Sequence, residues 1–437
     1  MPKSKQRKKS RGSRVKTQPR RSAPSPPPFP GLPSNDPGLQ RIVGKLIAEA
    51  NHDLRPTDPF NAELWASHVL GIFYGRLIDV DEECLLVEAV SLAAQRRKDQ
   101  ASLWVCRALA AVTDADHAAE LTDLGDRLAT RGLAEPPWAT SIGRPAFVEG
   151  WLGTEEYGDA DAILAVFRYE GFGDHVLSAM VDHNLDSLLK DAFVGWPARD
   201  VVTEWHAASD IRFKAIDAAE VAARLRPALE ITDTYAFAPV GDTFEEFRGI
   251  VAGRLRLALP HVDEWSSPVD PMAYDERDSL VEEFLGSPFA PDPSAREHAE
   301  RLAELAMDFK CDDADGDPLR WSPVVVEIFL CDWVPRKVTL TDEEIGAFPG
   351  ALRDWIRFAL ARRGLGPDAV AETLSAIDEF EPEFREAVGD PARFGPAKAI
   401  VNAMLADGID PADGPARDAW IERFNALPEA ERQRILG

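Results

Sequence analysis

Between residues 157 and 193 the chain reads YGDADAILAVFRYEGFGDHVLSAMVDHNLDSLLKDAF, and this stretch limits the possible folds more than any other. Two short apolar runs of β character, residues 162–169 and 176–181, flank a glycine turn in a chain whose remaining pattern is almost wholly helical. The first run is apolar at both parities, with Ile163, Ala165 and Phe167 alternating with Leu164 and Val166, so both of its faces should be covered. Glu170-Gly171-Phe172-Gly173 has hairpin-loop chemistry. A third candidate strand, residues 211–216, sets Phe213 and Ala215 against Arg212 and Lys214 and should keep one face wet. After the second run, Asp182-His183-Asn184 is expected to end a strand and open a helix over residues 185–193, with Asp182 or Asn184 as its cap. These pieces give a small α+β unit over residues 134–240, a central antiparallel sheet of two or three strands carrying helices.

The flanks are helical, which makes the expected fold predominantly α. A bundle is expected over residues 38–133. Asp58-Pro59 reads as a cap followed by proline in the first helical position, further helices are expected over 81–97 and 99–112, and Asp116 begins one that Gly132 ends. A helical region is expected over 241–437. In it Ser322-Pro323 caps a buried segment, 324–334, that suits a helix or a strand; Thr341-x-x-Glu344 is a capping box, and Pro349 restarts a helix.

Charge divides the chain unevenly. Lys3, Lys5, Arg7, Lys8, Lys9, Arg11, Arg14, Lys16, Arg20 and Arg21 fall within the first 22 residues, where there is no acid, and removing those ten charges from the net −26 leaves −36 on the rest. Residues 1–37 combine this basic run with nine prolines and few apolar side chains, the composition of a disordered tail. Such a tail can contact nucleic acid or another polyanion, and without aromatic residues among the basic ones it would do so regardless of sequence. The acidic remainder repels phosphate backbones and anionic membranes. Four scattered cysteines, Cys84, Cys106, Cys311 and Cys331, form no Cys-x-x-Cys pair, and no apolar run is long enough to span a bilayer, so a cytoplasmic protein without membrane contact is expected.

Chemistry is sparse. Asp182, His183 and Asn184 are the best catalytic candidates, since adjacent groups of this kind at a strand end can orient a water or ligate a metal. His175 shares the strand parity of His183 but lies about 26 Å away along an extended chain, which excludes co-ligation. His117-x-x-Glu120 reads as a surface pair, and Asp312 to Asp317 as a solvated acidic turn, because Pro318 and Val324 stand where a calcium loop starting at Asp313 needs its glycine and bidentate glutamate. Trp138, Trp151, Trp196 and Trp205 bracket the central unit, where packing is the plainer role. Phosphate-loop, dinucleotide and nucleophile-elbow motifs are missing, and nothing calls for a cofactor or a resident metal.

WSPVVVEIFLCDWVPRKV, residues 321–338, and DHNLDSLLKDAF, residues 182–193, resemble a family of uncharacterised actinobacterial proteins. The resemblance implies a shared fold and carries no activity. The expected function is protein binding or scaffolding, with an acidic body for a protein partner and a basic tail for polyanions. The alternative is a hydrolytic, metal-assisted enzyme centred on Asp182, His183 and Asn184.

Overall fold

The computed structural model describes residues 33–55, 58–74, 81–207, 211–235, 237–262 and 272–436. The ten basic residues from Lys3 to Arg21 lie outside the described residues. The chain is mostly helical around one five-stranded antiparallel sheet, β1 (Ala146–Glu155), β2 (Ala160–Arg168), β3 (Asp174–Asp182), β4 (Leu188–Gly195) and β5 (Ile211–Ile216), in the order β4-β3-β2-β1-β5.

Two of these strands were not expected, and each has a local cause. Residues 188–195 form a strand where a helix over 185–193 was expected. The apolar spacing Leu188, Leu189, Ala192, Phe193 imitates a helical period because a register shift between Met180 and Val181 leaves Lys190 as an extra residue in β4. Leu189, Ala192 and Val194 thereby pair with Val181, Ala179 and Leu177 on one buried face. β1 is concealed by glycine. A Cβ on Gly150 would sit 2.9 Å from the Ile216 carbonyl, and one on Gly153 would sit 2.5 Å from the Phe213 ring, so both glycines mark close approach of β5.

Five helices precede the sheet: α1 (Pro37–Asp53), α2 (Pro59–Gly71), α3 (Glu82–Arg97), α4 (Gln100–Leu109) and α5 (Ala115–Ala129). Aspartate side chains at positions 36, 58, 81, 99 and 114 accept from the orphan amides of their first turns. Asp114, two residues before the expected start, is the cap of α5. Between β4 and β5 lies α6 (Ala198–His206); after β5 come α7 (Ala218–Thr234), capped by Asp217, and α8 (Phe244–Leu257).

One sheet face packs on α7 and α8. The other carries α6, whose Ala198, Val201, Val202 and Trp205 meet Trp151, Leu164, Val166 and Val176. Helix α8 approaches α2 closely, since a Cβ on Gly249 would meet Ser67 Oγ at 2.9 Å. A single apolar cluster therefore runs from Leu39 through the sheet to Leu259. Inside it, Arg254 of α8 forks onto Glu63 of α2 at 2.7 and 2.8 Å, and His175 Nε2 of β3 lies 3.0 Å from Arg254 Nη2. The imidazole must accept from the guanidinium, and burial together with that positive charge lowers its pKa to about 3.

A second cluster, Leu280 to Val388, belongs to the C-terminal helices α9 (Tyr274–Leu285), α10 (Arg296–Asp312), α11 (Pro323–Ile328), α12 (Val334–Lys337), α13 (Asp342–Arg363) and α14 (Pro367–Ala387). Ser322 caps α11 by accepting from Val325 N, and a π turn over Phe329–Trp333 carries the helix into α12. Residues 324–334 are thus helical. The Thr341–Glu344 capping box forms, but Pro349 restarts nothing; it lies within the single helix α13. Three further helices, α15 (Pro396–Ala406), α16 (Gly414–Asn425) and α17 (Glu429–Leu436), form a small satellite around Met404, Trp420 and Phe424. Among the described residues no helix is long and apolar enough to cross a membrane.

The acidic run at the end of α10 is only partly solvated: Asp312 and Asp313 are exposed, but the Asp315 side chain is buried, and all three are paired. Asp312 forks with Arg277, Asp313 takes Trp333 Nε1 and Lys337, and Asp315 pairs with both Lys310 and Arg320. Lys310 and Arg320 are themselves buried, so they bind their carboxylates in competition with little water.

Candidate functional site

The candidate residues sit in the connection between β3 and β4. Asp182 ends β3, and its Oδ1 accepts from Asn184 N at 2.9 Å, a local turn bond and not a helix cap. Leu188 N then donates to the Leu185 carbonyl at 3.0 Å, closing a tight turn whose central residues, Asp186 and Ser187, have φ of 55° and 60°. Two consecutive left-handed residues are what a twist-matched hairpin turn requires, and neither residue is glycine. The conformation costs roughly 1–2 kcal/mol per residue. The Asp186 carboxylate accepts from the Tyr235 hydroxyl, and Ser187 Oγ meets His183 Nδ1 at 2.9 Å.

His183 is the one expected residue that stands at the centre of a polar cluster. Its amide donates to the Asp159 carbonyl at 2.9 Å, and its Nε2 lies 3.3 Å from Oδ2 of Asp161. The imidazole therefore links Ser187 to Asp161. Asp161 is 8% exposed, and Arg224 of α7 reaches the same oxygen at 2.7 Å while its other nitrogens hold Glu220. Asp182 stands apart from this chain. Burial raises its pKa, opposed by the Asn184 amide and by Lys190, whose Nζ is 4.0 Å away. Asn184 contributes its backbone amide. The three expected residues thus do not converge; His183 converges with Ser187 and Asp161 instead.

A second ring of groups comes from the C-terminal helices. Arg320, 4% exposed, reaches Asp315 on its own side and Asp159 across the boundary, and its Nη2 donates to the His183 carbonyl at 3.3 Å. Burial works against ionisation of Asp315, but the Lys310 and Arg320 charges outweigh it and hold the carboxyl below its usual range. Lys310 is pushed down to about 8 by burial and by Arg320, so the shared aspartate stands between two cations that repel each other. Beside this, the Tyr157 hydroxyl donates to Glu372 of α14 at 2.8 Å, and Arg363 Nη1 lies 3.4 Å from Asp317. The loops at this end of the sheet are therefore fastened to the C-terminal region by Arg320, which holds Asp159 and the His183 carbonyl, and by Tyr157, which holds Glu372.

Strand β3 runs unbroken from Asp174 to Asp182, which keeps His175 and His183 at opposite ends, as extended geometry required. His175 belongs to the buried Glu63–Arg254 cluster. Of the four tryptophans, Trp138 is buried with Nε1 donating to Leu54 O at 3.1 Å, and Trp151 and Trp205 pack around α6. Trp196 is 64% exposed and packs edge-on to Phe60. The four do not line one pocket.

Sequence reasoning missed Asp161, Ser187, Arg224 and Arg320. Asp161 was within reach, because the hairpin register that pairs Phe167 with His175 also pairs Asp161 with Val181, two residues before His183 and on the same face. Ser187 was hidden by the helix expected there, and Arg320 comes from 137 residues away. No known protein family, curated protein or solved structure matches the chain.

Proposed function

We propose that the protein works by binding, with its acidic body engaging a protein partner and the basic N-terminal segment adding attachment to polyanions. The observation that carries this reading is the separation of charge: ten cationic side chains and no acid in the first 22 residues, against −36 on the rest once those ten are removed from −26. The site geometry supports it from the other side. The carboxylates beside His183 are engaged within the chain, Asp161 by Arg224 and Asp159 by Arg320. The test uses the full chain and a form lacking residues 1–37, titrated with duplex DNA across a salt series. Binding should vanish with the deletion and should weaken by a log–log slope of about −0.9 for each phosphate neutralised. Equal binding by the shortened chain would refute the role of the segment. Affinity purification of the full chain from its native host tests the other half, the protein partner.

A second reading rests on one specific observation, the Ser187–His183–Asp161 chain. With Nε2–H held toward Asp161, Nδ1 can accept the Ser187 proton as Oγ attacks an ester carbonyl; the alcohol leaves with that proton, and water then hydrolyses the acyl-serine. Arg224 competes for Asp161 in this arrangement, which is why binding is the favoured reading. A fluorophosphonate probe decides between them. Labelling that is lost in Ser187→Ala supports hydrolysis, and an unlabelled, folded wild type removes it.

A further inference from the structure

We propose that Asp81, Cys84 and His117 form a site for a divalent transition metal of the zinc class, independently of the binding function above. Residues far apart in sequence meet there because α3 and α5 begin side by side. Asp81 caps α3 and Cys84 lies in its first turn; His117 lies in the first turn of α5 behind its cap, Asp114. One donor atom from each of Asp81, Cys84 and His117 lies within 4.8 Å of the others. Tetrahedral zinc with bonds of 2.0–2.3 Å holds its donors about 3.3–3.8 Å apart, so side-chain rotation needs to draw these donors together by no more than about 1.5 Å. Sulfur, nitrogen and carboxylate oxygen together favour zinc over calcium or magnesium, and three protein ligands leave one position open.

The side chains have capacity to spare for a metal. The capping bond from Cys84 N uses Asp81 Oδ1, at 2.9 Å, and leaves Oδ2. Among the described residues, Cys84 Sγ makes a long contact, 3.9 Å, with Glu88. His117 Nδ1 lies 3.0 Å from Asp114 and 3.3 Å from Glu83, and carboxylates beside an imidazole are what orient metal-ligating histidines. The surroundings carry an excess of negative charge. Glu83, Glu88, Asp114 and Glu120 face the triad from α3 and α5, and α8 brings Arg248, 3.3 Å from Glu83, and Arg256, which is bonded to the Thr113 and Ala110 carbonyls.

A metal must displace the Cys84 thiol proton and competes with protons for the His117 imidazole, so affinity should rise with pH.

The experiment titrates the full-length, tag-free protein with Zn2+ by calorimetry and with Co2+ by absorption. One Zn2+ per chain is expected, with a near-ultraviolet thiolate-to-cobalt charge-transfer band in the wild type. Cys84→Ser should abolish that band, and His117→Gln should weaken zinc binding by at least about 10-fold. The wild-type cobalt spectrum does not depend on whether a variant folds. The proposal is overturned if zinc uptake does not saturate. It is equally overturned if cobalt binds without the band, if the band survives Cys84→Ser, or if Glu83→Gln alone abolishes binding, which would move the ion to the overlapping Glu83, Asp114 and His117 set.

Discussion

Two buried charge clusters divide the labour in this molecule. Glu63, Arg254 and His175 lie wholly within the first apolar body, where α2, α8 and β3 meet. Lys310, Asp315 and Arg320 lie at the edge of the second body, and Arg320 crosses from it to Asp159 and the His183 carbonyl. The first cluster contains both of its own charges and touches nothing outside one core. The second holds two cations on one aspartate, and its remaining valence is satisfied only when the sheet loops are present. A sealed pair fixes the packing of a core; an open one joins two cores.

Breaking the sealed pair should have the largest effect. Arg254→Ala strands the Glu63 carboxylate at 0% exposure, and an uncompensated charge of that kind costs about 3–5 kcal/mol. Removing both partners, as Glu63→Leu with Arg254→Met, should recover much of the loss, because apolar replacements of a buried pair are often neutral or stabilising. Urea unfolding of the three proteins checks this, and a double variant no better than Arg254→Ala would show that the pair is needed as such.

Opening the joint should cost less and look different. Arg320→Ala leaves Asp315 with Lys310, and leaves Asp159 at 18% exposure able to meet water, so a loss of about 2–3 kcal/mol is expected. The sharper expectation concerns cooperativity. Calorimetric unfolding should separate into two transitions once the bridge is gone, whereas Arg254→Ala should lower one transition and leave the C-terminal helices as they were. A single, uniformly shifted transition in Arg320→Ala would mean that apolar contacts alone unite the bodies.

The same contrast explains what was legible in the sequence. Caps such as Asp58 and Ser322 could be read because a cap and its helix are neighbours in sequence. The β2–β3 hairpin was legible for the same reason. Strand β4 was not, since its bulge gives Leu188, Leu189, Ala192 and Phe193 a helical spacing, nor was β1, whose Gly150 and Gly153 answer to β5 sixty residues later. At the site, His183 stood out as a polar residue after an apolar run, but its partners depend on register (Asp161), on a left-handed turn (Ser187) and on docking of a separate body (Arg320). Asp315 was misread because its composition suggests solvent while its partners, Lys310 and Arg320, come from either side of the turn.

The smallest effect is also the most specific to the sealed cluster. His175 has a pKa of about 3 in the folded chain against 6.5 for the unperturbed side chain, so between these values the unfolded chain binds a proton that the folded one refuses. Stability from this residue is complete above pH 6.5 and declines as the pH falls toward 3. Between pH 6.5 and 5 the loss amounts to about 2 kcal/mol at 1.36 kcal/mol per pH unit. His175→Gln keeps an acceptor for Arg254 and does not titrate, so its stability should fall by about 2 kcal/mol less than the wild type's over that interval, the carboxylates being common to both. Parallel pH profiles for the two proteins would mean that the imidazole is reached by protons in the folded state, and the cluster would then be no more sealed than the joint around Arg320.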